Sequence, residues 1–306
     1  MLLILCVFIA MLIANSSLGP ALQNLLDTEI GTDIFHLKYS VSVWINDGLM
    51  AIFFLLVGLE IKRELVEGEL SSFKTASLPI FAAVGGMVVP ALFFMLFNKG
   101  TAYENGWGIP MATDIAFSLA IISMLGKKVP SALKIFLAAL AIVDDLGAIV
   151  VIAAFYTEKI EWMYLGLAGI CMVILILLNL LKVTKHVFYL IPGAFLWYFM
   201  HHSGIHATIA GVLLAFTIPT NTSTEEISPL EKLEEKLHIP VNFFIMPVFA
   251  LANTNIMLKP GMVDALFTNF GYGIIGGLAI GKVIGITLFS FIAVKLKLSD
   301  LPYNTR

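Results

Sequence analysis

The sequence predicts an all-α, polytopic membrane fold of about ten transmembrane helices. Three observations carry that expectation. The 306 residues are 59% hydrophobic, with a mean hydropathy of +0.95. Only 13% are charged, against about 25% in an average soluble domain. Several apolar stretches run for about 20 residues, enough to cross a ~30 Å hydrocarbon core. The net charge of −3 says little about partners, because most of the surface should face lipid, and no basic stripe suggests nucleic acid. Cys6 and Cys171 both lie in apolar runs. They read as small buried hydrophobes and not as a disulfide or metal site.

The expected spans are residues 2–18, 42–62, 77–97, 108–125, 132–156, 161–182, 187–202, 204–219, 238–257 and 272–296. The first begins with the apolar run Leu2 to Ala14, followed by Asn15-Ser16-Ser17. A signal peptide would need a positively charged start, so the run reads as a membrane helix. Loop 19–41 holds Gly31-Thr32-Asp33 between short mixed runs, which predicts a small extracytoplasmic β-hairpin. Of the eighteen Lys and Arg residues, thirteen fall in alternate loops. Four, Lys38, Lys99, Lys159 and Lys259, fall on the other side, and Lys282 lies within a span. The thirteen-residue side is expected to be cytoplasmic. Loop 220–237 carries Glu225, Glu226, Glu231, Glu234 and Glu235 and reads as a solvated cytoplasmic linker.

Ionisable residues inside spans are costly and mark ion or proton pathways. The fifth span contains LAIVDDLGAIVV, with Asp144 and Asp145 adjacent. Asp144 lies about twelve residues into the span, ~18 Å along a helix and near the bilayer middle. Neighbouring helix residues point ~100° apart, so the two carboxylates border one polar cavity without facing each other. Such a pair can hold protons or, deprotonated, offer hard oxygen ligands to a small cation. Competition between the two at one site is the chemistry of an antiporter. The alternative is a carboxylate pair that only braces the helices.

The fourth span reads GWGIPMATDIAFSLAIISML. Gly106, Gly108 and Pro110 weaken helix before Thr113 and Asp114. An extended piece followed by a short capped helix fits, and transporters build ion sites at such breaks. A plain helix N-cap near the interface is the alternative. Lys282 lies about ten residues into GYGIIGGLAIGKVIGITLFSFIAV, too deep to snorkel. Asp144 or Asp145 is its natural partner, in a pair that could break when a cation arrives or act only as a structural counter-ion. His206 reads as a packing residue, and His201 and His202 as outer-loop residues. Glu60, Lys62, Arg63 and Glu64 close the second span and, by spacing alone, read as an interfacial salt-bridge cluster. Gly-Gly pairs near the starts of spans three (81–94) and ten (273–289) hint at an inverted repeat.

Together these motifs resemble the NhaA-type sodium/proton antiporters of bacterial inner membranes. WINDGLMAIFFLLVGLEIKREL, ATDIAFSLAI, ALKIFLAALAIVDDLGAIVVIAAFYT, SGIHATIAG and GLAIGKVIGITLF occur in family order, from about Leu3 to Pro302. The resemblance implies the family's inverted-repeat fold with a discontinuous helix, forming one integral membrane transporter domain over 1–306. It implies that Asp145 is the principal sodium-binding aspartate and Asp144 its neighbour in ion and proton exchange. Lys282 matches the lysine paired with that site, and Thr113 and Asp114 the break in the unwound fourth helix. Glu60, Arg63, Glu64, Glu234 and His238 match positions tied to pH response at the cytoplasmic mouth. The 29–40 hairpin matches a homodimer contact. No resident cofactor is implied; Na+, Li+ and H+ are the transported ions, and exchange is electrogenic. Glu235 stands where the family often has histidine, and Val283 where proline is common. The family pattern continues with two further helices beyond Arg306, so an incomplete C-terminus is expected.

The expected function is therefore Na+ (Li+)/H+ exchange serving sodium and pH homeostasis, without enzymatic activity. A sodium-coupled organic-anion symporter of similar fold is a rival, but Lys282 is the only intramembrane base to meet an anion. An intramembrane aspartyl protease would need its two aspartates on separate helices. A truncated, inactive antiporter is the third alternative.

Overall fold

The computed structural model describes residues 2–68, 70–111, 122, 129–156, 159–220 and 227–301. In chain order its main helices are α1 (Leu2–Ala14), α2 (Gly19–Asp27), α3 (Val41–Val66), α4 (Phe73–Asn98) and α5 (Ser131–Phe155). They continue as α6 (Trp162–Leu180), α7 (Val187–His202), α8 (Ile209–Thr217), α9 (Pro229–Asn253) and α10 (Asn269–Lys295). Among the described residues, α3, α4, α5, α6, α9 and α10 are long and apolar enough to cross a membrane. The chain forms two compact units: Met1–Lys62 with Thr157–Lys259, and Arg63–Tyr156 with Pro260–Arg306.

In the first unit, the expected span 2–18 stops at Ala14, and α1 and α2 bend by 107°. The Asn15 amide donates to the carbonyls of Met11 (2.8 Å) and Ile256 (3.0 Å), and the Ser16 hydroxyl to that of Ile13 (2.8 Å). Such side-chain bonds compete with the helical ladder. Pro20 in the first turn of α2 then starts the next helix. Glu29–Ile30 (β1) and Tyr39–Ser40 (β2) pair antiparallel, with Glu29 opposite Ser40 and Ile30 opposite Tyr39. The Ser40 hydroxyl caps α3 by accepting the Val43 N–H. That helix widens into a π turn over Trp44–Leu49, a distortion common at functional sites.

The core of this unit joins Leu55 and Leu59 of α3, Leu175 of α6, Leu196 of α7 and Ala215 of α8. The Lys62 ammonium donates to the carbonyls of Phe216 (2.9 Å) and Ile218. It thereby meets orphan acceptors at the negative end of α8. That helix has nine residues, ~14 Å of rise, too short to fill the expected span 204–219 alone. Gly204, with φ of 85°, and the turn through His206 take up its beginning.

The largest departure from the sequence reading is at residues 229–237, expected as linker. They are the start of α9. The Ser228 hydroxyl accepts the Glu231 N–H (3.1 Å), and the Glu231 carboxylate accepts the Ser228 N–H (2.7 Å). This reciprocal cap, with Pro229 at the first helical position, is a strong helix start. The signal for this start is the Ser-Pro-Leu-Glu stretch at 228–231. Ser228→Ala is expected to cost ~1 kcal/mol, read as a lower midpoint of thermal unfolding in detergent.

In the second unit, α4 remains helical through Pro79 and Pro90 and packs antiparallel against α10. Gly273, Gly277, Gly281 and Gly285 recur every four residues along α10, meeting α4 from Asn98 back to Gly85. Small residues at this spacing let membrane helices approach closely. A Cβ on Gly85 would lie 2.2 Å from the Gly285 carbonyl oxygen, and one on Gly285 2.1 Å from that of Gly85. Backbone meets backbone there, so no rotamer change can relieve the clash. Gly85→Ala is expected to lower stability by ~1–3 kcal/mol, measured as thermal midpoint and as yield of folded protein in the membrane. Ala82 and Ala83 of α4 also pack with Leu140 of α5.

Candidate functional site

The second unit places Asp144 and Lys282 together. Asp144 sits in the middle of α5 and is buried, at 3% exposure. Lys282 follows a π turn, Gly277–Gly281, which re-aims α10 before it. Its ammonium donates to the Asp144 carboxylate at 2.9 Å and to the Met111 carbonyl at 2.5 Å. The choice between Asp144 and Asp145 left open by sequence spacing thus falls on Asp144. Asp145 is half-buried beside it. The Met111 carbonyl closes a 3₁₀ stretch, Glu104–Met111. Thr113 and Asp114, expected to break the fourth span, lie outside the described residues. Among the described residues, the part-buried lysine thus meets a carboxylate and a backbone carbonyl.

A cleft of about 490 Å³ opens in the same unit, with Glu64, Glu67, Ser71, Ser72 and Thr75 on its polar wall. Its other wall is α5, from Ile135 to Ile142. Ile142 is two residues before Asp144. Glu64 also lies 4.0 Å from the Arg63 guanidinium, in a partly exposed pair worth little in stability.

The first unit gathers three of the five residues expected at the cytoplasmic mouth. His238 Nε2 lies 3.7 Å from Glu60 Oε1 and 3.5 Å from Glu234 Oε1. Glu234 and His238 are one turn apart on α9, and Glu60 reaches them from α3. The helical start of α9 makes this contact, because a loose linker would not hold Glu234 buried. Glu235 is exposed.

A second polar group in this unit joins Asp47, an ionisable residue near the outer end of the second expected span, to a histidine that sequence spacing does not connect to it. Asp47, on the π turn of α3, pairs with His201 Nδ1 at 3.1 Å. His201 and His202 are not outer-loop residues but the last turn of α7. The Trp197 indole donates to the Asp47 carbonyl at 2.9 Å and stacks on His201 with centroids 5.7 Å apart. Tyr39 meets His201 edge-on at 4.7 Å. Burial, then the nearby Tyr198, Asp47 and Tyr164, hold the Tyr39 hydroxyl above the usual tyrosine pKa. The one-turn spacing of Trp197 and His201 was the available signal. Cys6 and Cys171 are buried free thiols, as their apolar surroundings indicated.

The profile of the family described as Na+/H+ antiporter 1 matches residues 1–306. The chain belongs to this family. It is 57% identical to "Na(+)/H(+) antiporter NhaA 2" of Flavobacterium johnsoniae over 307 residues, covering 99% of this chain and 75% of that protein. It is 51% identical to "Na(+)/H(+) antiporter NhaA" of Flavobacterium psychrophilum, over 98% of this chain and 76% of the relative. With the protein of that name from Pelagibacter ubique the identity is again 51%, over 98% and 78%. Membership of the Na+/H+ antiporter 1 family and the six apolar helices together make this a multi-pass membrane protein.

Proposed function

We propose that this chain exchanges Na+, and Li+, for protons across the bacterial inner membrane, exporting the cation electrogenically for sodium and pH homeostasis. The observation that carries this reading is the ion pair of Lys282 with Asp144, buried in the middle of an apolar helix. A carboxylate and an ammonium in such a place cost more than they return as a brace. They serve exchange well. Sodium entering at Asp145 and Asp144 competes with the lysine ammonium for the same carboxylate oxygens. Protons bound at the site leave as the cation arrives, so one site carries either cargo but not both. The protein then reorients, releases sodium outside, and takes up protons for the return. The cleft ending at Ile142 is the route by which a cytoplasmic ion approaches α5.

The proposal includes a single integral membrane transporter domain of about ten spans in an inverted repeat. The glycine-faced antiparallel packing of α4 on α10 supports that arrangement. Thr113 and Asp114 are assigned to the discontinuous helix, where they offset helix dipole ends. Glu60, Arg63, Glu64, Glu234 and His238 are assigned to the pH response, with no resident cofactor. The segment around β1 and β2 is assigned to a homodimer contact outside the membrane.

The test uses a host without its own sodium/proton antiporters. Everted vesicles are acidified by respiration, and a ΔpH-sensitive dye is followed. Dequenching on adding sodium or lithium, and not choline, is the expected result. A protein present in the membrane that gives no dequenching at any pH overturns the reading.

A further inference from the structure

We propose that Glu60, Glu234 and His238 form a binding site for a borderline transition-metal cation of the Zn2+ type. This goes beyond cation exchange and does not depend on it. One ligand atom from each residue lies within 4.8 Å of the other two. In a tetrahedral zinc site, with bonds of about 2.0–2.2 Å, neighbouring ligand atoms are ~3.4 Å apart. His238 Nε2 to Glu234 Oε1 is 3.5 Å, and to Glu60 Oε1 3.7 Å. Two edges of the polyhedron therefore already have nearly the required length.

The donor set selects the metal. An imidazole nitrogen with two carboxylates suits Zn2+, Ni2+ or Co2+, whereas Mg2+ and Na+ favour oxygen alone. Two carboxylates facing one imidazole also carry net negative charge, which a divalent cation neutralises. Glu234 is buried, with its side chain only 4% exposed. His238 and Glu60, at 45% and 26%, leave a solvent approach. Water can complete the remaining coordination positions. The Lys62 ammonium, two residues from Glu60, is engaged with the carbonyls of Phe216 and Ile218. Two ligands on one helix face, one turn apart, and a third from another helix make the metal a clamp between α3 and α9 in the first unit.

The experiment uses tag-free full chain, purified in detergent and stripped with a chelator. Zn2+ alone is titrated by calorimetry, with Mg2+ as control. One Zn2+ per chain is expected, with a rise in thermal midpoint that chelator reverses. Glu60→Gln and His238→Ala should each weaken binding by at least about tenfold. X-ray absorption on the unmodified protein should find one imidazole nitrogen and carboxylate oxygens around the metal, and it stands even if a variant misfolds. Three results overturn the proposal: no Zn2+ bound, Zn2+ bound equally by both variants, or a metal shell without imidazole. An equal response to Mg2+ overturns the metal class. Because no arm reads transport, failure here leaves the exchange reading untouched, and failure of exchange leaves this site testable.

Discussion

Asp145→Asn is expected to abolish sodium-dependent dequenching in everted vesicles while the protein still accumulates in the membrane. Asparagine keeps the size and one oxygen of aspartate but loses the charge and the ability to take up a proton. Both functions are needed at one place: a negative oxygen to replace the ion's hydration, and a group that binds a proton when the ion has left. Asp145 is half-buried and on α5, beside the engaged Asp144. On the proposed reading it is the carboxylate that meets the incoming cation beside the Lys282–Asp144 pair. Loss of a hydrated surface charge would change a rate modestly. Loss of the ion ligand should leave nothing above the choline control. Exchange by Asp145→Asn at the unmodified level, in matched amounts of protein, would remove Asp145 from the site.

Lys282→Ala is expected to be the most destabilising single substitution in the second unit. It removes the ammonium at 2.9 Å from Asp144 and leaves that carboxylate buried. Removing one partner of a buried pair typically costs ~3–5 kcal/mol, because the other charge loses its compensation. The same reasoning predicts a rescue. Asp144→Asn placed on Lys282→Ala removes the stranded charge, so the double variant should be more stable than Lys282→Ala alone. A thermal-unfolding cycle in detergent measures this, and the two effects should be strongly non-additive. Additive losses would mean that the 2.9 Å contact contributes little and that Lys282 is held chiefly by the Met111 carbonyl.

Arginine would not substitute freely for Lys282. Its forked guanidinium needs more room and two acceptors in plane. The lysine instead approaches one carboxylate oxygen and one carbonyl, where α10 lies close against α4. Gly86 of α4 is so near that a Cβ there would lie 3.9 Å from Lys282 Cε. The glycine stripe that brings α10 onto α4 therefore also delivers the ammonium to α5. That couples the Gly85→Ala prediction to the ion site.

Several features were legible because they are local. An apolar run of about 20 residues needs no partner to be recognised, and α4, α5 and α6 lie where hydropathy puts them. A charge inside such a run is conspicuous by its cost, so Asp144, Asp145 and Lys282 stood out from composition and position alone. Local chemistry is harder to read where two signals conflict. At Ser228-Pro229-Leu230-Glu231 the reciprocal cap prevailed over the charge run, because it satisfies backbone donors that water would otherwise have to meet. At Asn15-Ser16 the side chains ended a helix that apolarity alone would have extended.

By itself, then, the sequence determined that this is a membrane chain, where most of its helices run, and which residues are too costly to be idle. Those properties follow from hydropathy, backbone propensity and charge, which each residue carries with it. The tertiary structure alone decided that Lys282 meets Asp144 across 138 residues, that Glu60 joins Glu234 and His238, and that His201 turns to Asp47. These pairings depend on which helix faces pack together. That choice is made by close approach at glycines and by the fit of whole helices, and no local stretch of sequence contains it.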